Sequence, residues 1–452
     1  MSAPRGQFSS NIGFLMAAAG SAVGLGNIWG FPTNVAANGG AAFVLVYLIM
    51  AFLLAYPVLM AELTIGRHAR RNMVQALRGI ATGPINRFLG GLTGFGGILV
   101  ASLILSFYAI VAGWMVAHLA EPFFSLAGVE GTAEWLSANS TARNLTFTAL
   151  FSALTMLIIA SGVEKGIERW STLLMPSLMV LLLLLIVYVL TQEGAMEGLK
   201  VYLIPDLNQL SPELLPELLI DAMGQAFFSL SLGVGTMLIY GSYLSRQESL
   251  PRLGVLVTLI DVGIAFTAGL LILPAMYVAR EAGTEIFDKA GNLIAEDQLV
   301  LQVLPALFDT MGTAGLFVAI AFFALMVIAS LTSSISMLEV PVAFTIENLK
   351  IPRRLATPLV GLVIFAISSL IIFNFKALFL LIVTIATKFG QPLLGVALCI
   401  FAGWIWRRDQ LLAELKKGHE DIEQTLFWKI WPWYVRIVCP LLILTAFAQS
   451  VM

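Results

Sequence analysis

The sequence specifies an all-α integral membrane protein of about eleven transmembrane helices, and three observations predict it. Of its 452 residues, 59% are hydrophobic and only 12% charged, and the mean hydropathy is +0.92; a water-soluble domain carries about 25% charged residues. Eleven apolar stretches reach the roughly 20 residues needed to cross a bilayer. The basic residues divide unequally between alternate loops, as the positive-inside rule requires of such a chain. The net charge of −2 makes nucleic acid no obvious electrostatic partner. The two cysteines, Cys399 and Cys439, lie in apolar runs and imply no disulfide framework.

In chain order the spans fall near residues 10–36, 41–66, 90–119, 143–161, 167–191, 215–243, 253–279, 313–346, 355–374, 377–406 and 430–451. The first apolar run continues past the window of a cleaved signal peptide, so it is read as a span. Residues 281–310 have mixed polarity with Gly291 and Pro305 and read as a structured extracellular loop. Of the 25 basic residues, nineteen fall on the side of the N-terminus, among them Arg67, Arg169, Arg353 and Arg354. Arg143, Lys200, Arg280, Lys289 and Lys376 fall on the other side, and Lys388 sits inside the tenth span. The N-terminus is therefore expected in the cytoplasm and the C-terminus outside, in a multi-pass protein of the plasma (cytoplasmic) membrane.

Two spans carry interruptions at comparable depth. The first contains Gly20-Ser-Ala-Val-Gly-Leu-Gly-Asn27, and the sixth contains Phe228-Ser-Leu-Ser-Leu-Gly-Val-Gly235. Paired breaks five spans apart are the sequence pointer to an inverted-repeat transporter, whose substrate and ions bind at unwound segments near the midplane. Unwinding frees carbonyls to replace a cation's water shell, while half-helix N-termini offer N–H groups to a carboxylate. Close helix packing through Gly20-x-x-x-Gly24 is the structural alternative.

Gly20 to Pro32, Asn38-Gly-Gly-Ala-Ala-Phe43 and Glu62-Leu-Thr-Ile-Gly-Arg67 resemble the first two helices of the neurotransmitter:sodium symporter family. Ser106-Phe-Tyr-Ala-Ile-Val-Ala-Gly-Trp114, Gly224 to Gly233 and Ala329-Ser-Leu-Thr-Ser-Ser334 are similar to its third, sixth and eighth helices. The likeness runs from about Gln7 to Trp404. It implies a leucine-transporter-type core of two inverted five-helix repeats with broken helices 1 and 6, plus one extra helix, and sodium-coupled import of a small amino acid by alternating access. The expected divisions are a gate segment 1–9, repeats 10–191 and 215–406 separated by an extracellular loop 192–214, a second loop 281–312, a cytoplasmic loop 407–429 and helix 11 at 430–452.

The same resemblance implies two sodium sites. The first uses the Ala22 carbonyl, Asn27, Ser229 and Asp261. The second uses the carbonyls of Gly20, Val23 and Ala329 with the hydroxyls of Thr332 and Ser333. Oxygen ligands suit a small hard cation. A charge in mid-membrane costs about 3 kcal/mol or more unless compensated, and a cation would compensate Asp261; a structural carboxylate hydrogen-bonded between helices is the alternative. Chloride-dependent relatives carry neutral groups there. Ala265 stands where their chloride-binding serine would be, so no chloride is expected even though Tyr47 and Gln225 match other chloride ligands. For Thr332, Ser333 and Ser334, back-bonding within their own helix is the alternative.

Tyr108 should bind the substrate carboxylate beside the N–H groups of Gly24, Leu25 and Gly26. By the same resemblance Ser21, Ala22, Ile104, Phe228, Ser229, Ser231, Val234, Ser333 and Met337 match the positions that line the remaining pocket, with Phe228 stacked on Tyr108 as a lid. A volume of about 300 Å³ would favour a neutral hydrophobic amino acid. Arg5, Glu347 and Tyr243 match the inner gate, and Gly166 with Pro176 the spacing used to unwind helix 5. Glu62 matches the acid that braces helices 1 and 6, while Glu339 has no partner that sequence can name.

The family pattern fails at the outer gate, where Gly30 replaces an arginine and only Val383 or Thr384 aligns with an acid. Lys388 is expected to point into the pathway above the site; a lysine capping carbonyls between helices is the alternative. An anionic or non-standard amino acid, a proton-coupled exchanger and a non-transporting sensor remain rival functions on the same fold. Enzymatic chemistry is not expected, because His68, His118 and His419 form no cluster and no nucleophile stands beside a base.

Overall fold

The computed structural model describes residues 6–206, 210–211, 214–286 and 304–451, and among these the regular structure is all helix. Among the described residues nine helices are long and apolar enough to cross a membrane. A tenth crossing is the bent pair Asn11–Ala22 and Gly26–Ala37, whose axes diverge by 58°. The segment expected as the sixth span is divided into Leu215–Ser229 and Thr236–Gly241, each too short to cross alone.

The remaining spans lie close to their expected positions. The third is longer, Pro84–Leu126, extended by about two turns at each end into polar sequence that hydropathy alone does not assign to a span. The loop expected at 281–310 is corrected in part: the seventh span reaches Glu281 and Leu304–Thr310 is helical, while 287–303 lie outside the described residues. Short helices at Met73–Ile80, Glu130–Ser137, Ala195–Leu203 and Arg408–Lys416 connect the spans.

Lipid is the solvent for much of the surface. Leu150, Leu154 and Leu157 on the fourth span and Val180, Leu184 and Val187 on the fifth are exposed, at helical spacings that put each set on one face. Against this apolar exterior the third and eighth spans form the central contact, with the first span laid against the eighth and fifth.

The second and sixth spans approach backbone to backbone. A Cβ at Gly66 would collide with the Leu238 carbonyl, and one at Gly241 would stand 2.7 Å from the Leu63 carbonyl oxygen. Small residues permit this approach where no hydrophobic effect drives helices together in lipid.

The end of the second span is fixed by a buried ion pair. Arg67 donates from Nε to Glu414 Oε1 at 2.9 Å and from its terminal nitrogens to the carbonyls of Glu414 and Glu248, at 2.6 and 2.5 Å. Lys417 Nζ donates to Glu414 Oε2 at 2.6 Å, and His68 Nδ1 stands 3.2 Å from the same oxygen. Burial raises the Glu414 carboxyl, but hydrogen bonds from His68 and Lys417 and the Arg67 charge outweigh it and bring the group to about 2.

A carboxyl held below its ordinary value of about 4.3 contributes its stability above that pH and loses it as pH falls towards 2. Glu414→Gln leaves Arg67 buried without a counter-charge, a loss of about 3–5 kcal/mol. Thermal unfolding in detergent at neutral pH should therefore show a large drop in midpoint for Glu414→Gln. An unchanged midpoint would mean the pair carries no stability.

Candidate functional site

The two helix breaks lie side by side at the centre of the molecule. The first helix ends at Ala22, where Val23 turns to φ −74°, ψ 105°, and resumes as a wide-turned segment, Gly26–Gly30. Gly24 is required here by space, because a Cβ would stand 2.5 Å from Ser333 Oγ and 2.9 Å from Tyr108 Oη. In the sixth span Ser231, Gly233 and Gly235 take positive φ of 51°, 84° and 82°, so two of the three left-handed positions are glycines, which adopt that conformation without steric cost.

The exposed backbone groups are satisfied by side chains. The buried Glu62 carboxylate accepts from Gly233 N at 2.7 Å and Leu238 N at 3.3 Å, bracing the sixth-span break from the second span. Ser333 Oγ faces the carbonyls of Gly20, Ser21 and Val23 at 3.3, 3.4 and 3.1 Å. Gln225 Nε2 donates to Gly26 O at 3.0 Å, and Ser231 Oγ to Ser21 O at 3.1 Å.

Asn27, Ser229 and Asp261 converge, all buried. Asn27 Nδ2 donates to Asp261 Oδ1 at 2.7 Å and to Ser229 Oγ at 2.8 Å; Ser229 Oγ donates to Asp261 Oδ2 at 2.8 Å. Tyr47 Oη donates to Ser229 Oγ at 3.3 Å. No basic side chain pairs with Asp261 among the described residues. In this arrangement the Asn27 amide turns its nitrogen to the carboxylate, and a half-turn would present Oδ1 instead. Ala22, Asn27 and Ser229 all border the pocket.

The second expected ion set divides. Gly20 and Val23 turn their carbonyls to Ser333, whereas the Thr332 hydroxyl donates within its own helix to Ile328 O and Ala329 O, at 3.1 and 3.0 Å. A hydroxyl that donates its proton keeps lone pairs for a cation. Thr332 also packs its side chain against Gly20.

The expected substrate residues surround one pocket: Gly24 to Gly26, Ile104, Tyr108, Phe228, Ser231, Val234, Ser333 and Met337 line it. Ser21 is buried behind it, donating from Oγ to Ser336 Oγ at 2.7 Å. Leu25 N donates to Tyr108 Oη at 3.3 Å.

Two expectations are corrected. The pocket's free volume is about 30 Å³ against the expected 300 Å³, because the surrounding side chains close in on it. Among the described residues Phe228 makes no ring contact with Tyr108. Its ring instead lies over Gly26, where a Cβ would come within 2.9 Å of it, and it remains 37% exposed.

Phe228 and Gln391 also border a second cavity of about 250 Å³, shared with Asn34, Asp221 and Lys388. Lys388 sits in the wide-turned segment Thr384–Gly390 and has no hydrogen-bond or ion-pair partner among the described residues. Beside Gly30 only Gln225 Oε1 comes within 4.0 Å of a Cβ position. Gln391 was not singled out from sequence, although a buried amide three residues beyond Lys388 is a readable signal.

At the basic face, Arg5 lies outside the described residues. Glu347 accepts from Asn72 N and Nδ2 at 2.9 and 2.7 Å. Tyr243 donates to Glu339, which is paired with Arg353 at 2.6 and 2.7 Å. This supplies the Glu339 partner that sequence alone does not name; Arg353 lies fourteen residues on, just past the helix end at Leu349. Glu168 accepts from Ser9 N and Oγ at 2.7 Å each and from Ser10 Oγ at 3.0 Å, holding the N-terminal segment. The fifth span runs continuously through Pro176, with its disturbance confined to the wide turn Val163–Glu168.

Comparison with known proteins agrees with this geometry. The model of the sodium:neurotransmitter symporter family matches residues 5–149 and 140–452. An uncharacterized sodium-dependent transporter of Bacillus subtilis, YhdH, is 34% identical over 98% of this chain and 97% of its own. Another from Haemophilus influenzae is 31% identical over 99% of this chain and 98% of its own. The crystal structure of MhsT in complex with L-phenylalanine superposes with a TM-score of 0.83 at 37% identity, covering 99% of this chain and all of the other. These relatives are transporters, not enzymes. With its fold, its paired helix breaks and a family match that spans nearly the whole chain, this protein belongs to the sodium:neurotransmitter symporter family.

Proposed function

We propose that this sodium-dependent transporter imports a neutral amino acid with an apolar side chain together with two sodium ions, and does so without chloride. The observation that carries the reading is Asp261, a fully buried carboxylate that meets Asn27 and Ser229 beside two helix breaks and is compensated only by neutral donors. A carboxylate in that position needs a cation, and hard oxygen ligands around it suit sodium. Orientation with the N-terminus in the cytoplasm follows from the distribution of basic residues.

The substrate carboxylate would meet Tyr108 Oη and the N–H groups of the first-span break, next to the first sodium. Each ion thereby raises the affinity for the other, which is the physical basis of coupling. The side chain would lie among Ile104, Val234 and Met337, displacing Phe228 from its place over Gly26. MhsT, in complex with L-phenylalanine, supports an apolar substrate. Chloride is unnecessary because Asp261 supplies a fixed negative charge. Ala265 offers no donor, and Tyr47 and Gln225 are engaged with Ser229 and Gly26. Lys388, unpaired at the cavity that adjoins Phe228, would act on the substrate's approach.

Uptake of radiolabelled neutral amino acids into proteoliposomes should require an inward sodium gradient and stop in potassium or choline. Thr332→Val should weaken sodium dependence about tenfold or more, the size of one lost charge-assisted contact. Wild-type sodium affinity in that variant would remove Thr332 from the site.

Replacing chloride by gluconate at constant sodium should leave uptake unchanged, and Asp261→Asn should weaken sodium coupling or make transport anion-sensitive. A silent Asp261→Asn would return the residue to a structural role. Lys388→Met should change substrate affinity with an unchanged melting temperature; loss of stability alone would assign Lys388 to carbonyl capping.

A further inference from the structure

At the basic face, away from the pocket, the end of the fourth span, the start of the fifth and the start of the ninth enclose a cavity of about 790 Å³ lined by Ser161, Lys165, Arg169, Trp170, Thr172, Leu173 and Arg354. Three cations from two separate parts of the chain converge there, and no acid lines the cavity. Glu164, the nearest acid in sequence to Lys165, is not among its walls. None of Lys165, Arg169 or Arg354 has a side-chain hydrogen-bond or ion-pair partner among the described residues, so their donors are uncommitted.

The cavity opens at the edge of the lipid surface. Leu173, one of its walls, is 60% exposed and continues into Val180, Leu184 and Val187, a spacing of one helical face. Arg169 lies one turn before Leu173 on that same stripe. Leu355, Leu359 and Leu362 are likewise exposed just after Arg354. Trp170 adds an aromatic of the kind that sits at membrane interfaces. A basic pocket between spans, set at the end of an apolar stripe, has the chemistry of a phospholipid site: cations for the phosphate and leucines for the acyl chains.

We infer that this cavity binds the headgroup of an anionic phospholipid. The site joins two elements that belong to the polar network of the basic face. Lys165 lies on the wide turn Val163–Glu168, whose Glu168 anchors Ser9 and Ser10. Arg354 follows Arg353, the partner of Glu339. A headgroup bridging Lys165, Arg169 and Arg354 therefore ties the start of the fifth span to the start of the ninth.

The test is native mass spectrometry of the full-length protein released from nanodiscs of mixed phosphatidylglycerol and phosphatidylcholine. The wild type should retain phosphatidylglycerol in preference, and neutralising the three residues as K165Q/R169Q/R354Q should lower that preference by roughly fivefold per charge removed. The charge-keeping variant R169K/R354K should retain it. So should R246Q/R252Q/K429Q, which removes three exposed charges from the same face. The proposal is overturned if the first triple variant keeps the wild-type preference, if R169K/R354K or R246Q/R252Q/K429Q loses it equally, or if inorganic phosphate abolishes it, since that would identify a site for soluble anions.

Discussion

An unwound backbone in the middle of a bilayer must find every hydrogen-bond partner inside the protein, because no water is there to supply one. Most of the central architecture answers that constraint. Glu62 reaches from the second span to the N–H groups of Gly233 and Leu238, and the close crossing at Gly66 and Gly241 brings it within reach. Ser333, Ser231 and Gln225 cover the carbonyls of the first break. Two of these contacts, from Ser333 and Ser231, use hydroxyl protons, which leaves the oxygen lone pairs uncommitted.

The buried acids separate into distinct roles by what compensates them. Glu414 is matched by Arg67 and Glu339 by Arg353, each at ion-pair distance, and both pairs fasten helix ends at the basic face. Glu62 is compensated by backbone N–H groups of a helix break. Asp261 receives hydrogen bonds from Asn27 and Ser229 but meets no positive side chain. Desolvating a carboxylate is costly, and Asp261, like Glu62, meets that cost with neutral donors; what sets it apart is its place beside the pocket-lining Asn27 and Ser229.

The two ends of the central pathway are built differently. At the basic face, Tyr243, Glu339, Arg353, Glu168 and the N-terminal serines form a connected polar network. On the other side of the pocket the Arg280–Glu197 pair is exposed, and no ion pair among the described residues joins the charged groups that line the cavity there. Phe228, partly exposed, separates the pocket from a cavity holding Lys388 and Asp221. A single aromatic side chain can turn with little rearrangement of backbone, whereas opening the ionic network requires several bonds to break together.

The sequence by itself determined the helical class, the span positions and the two breaks, since each depends on local quantities: apolar length, charge asymmetry and glycine placement. Asp261 was legible as a charge in an apolar span, and the resemblance to the family's first ion site named Asn27 and Ser229 beside it. Only tertiary structure decided which of them meet. It paired Glu339 with Arg353, turned the Thr332 hydroxyl into its own helix while directing Ser333 across to the first break, and laid Phe228 over Gly26 instead of Tyr108. It also brought Lys165, Arg169 and Arg354 to one cavity. Rotamers, close packing and the meeting of residues distant in the chain depend on how neighbouring helices cross, and no local pattern encodes that geometry.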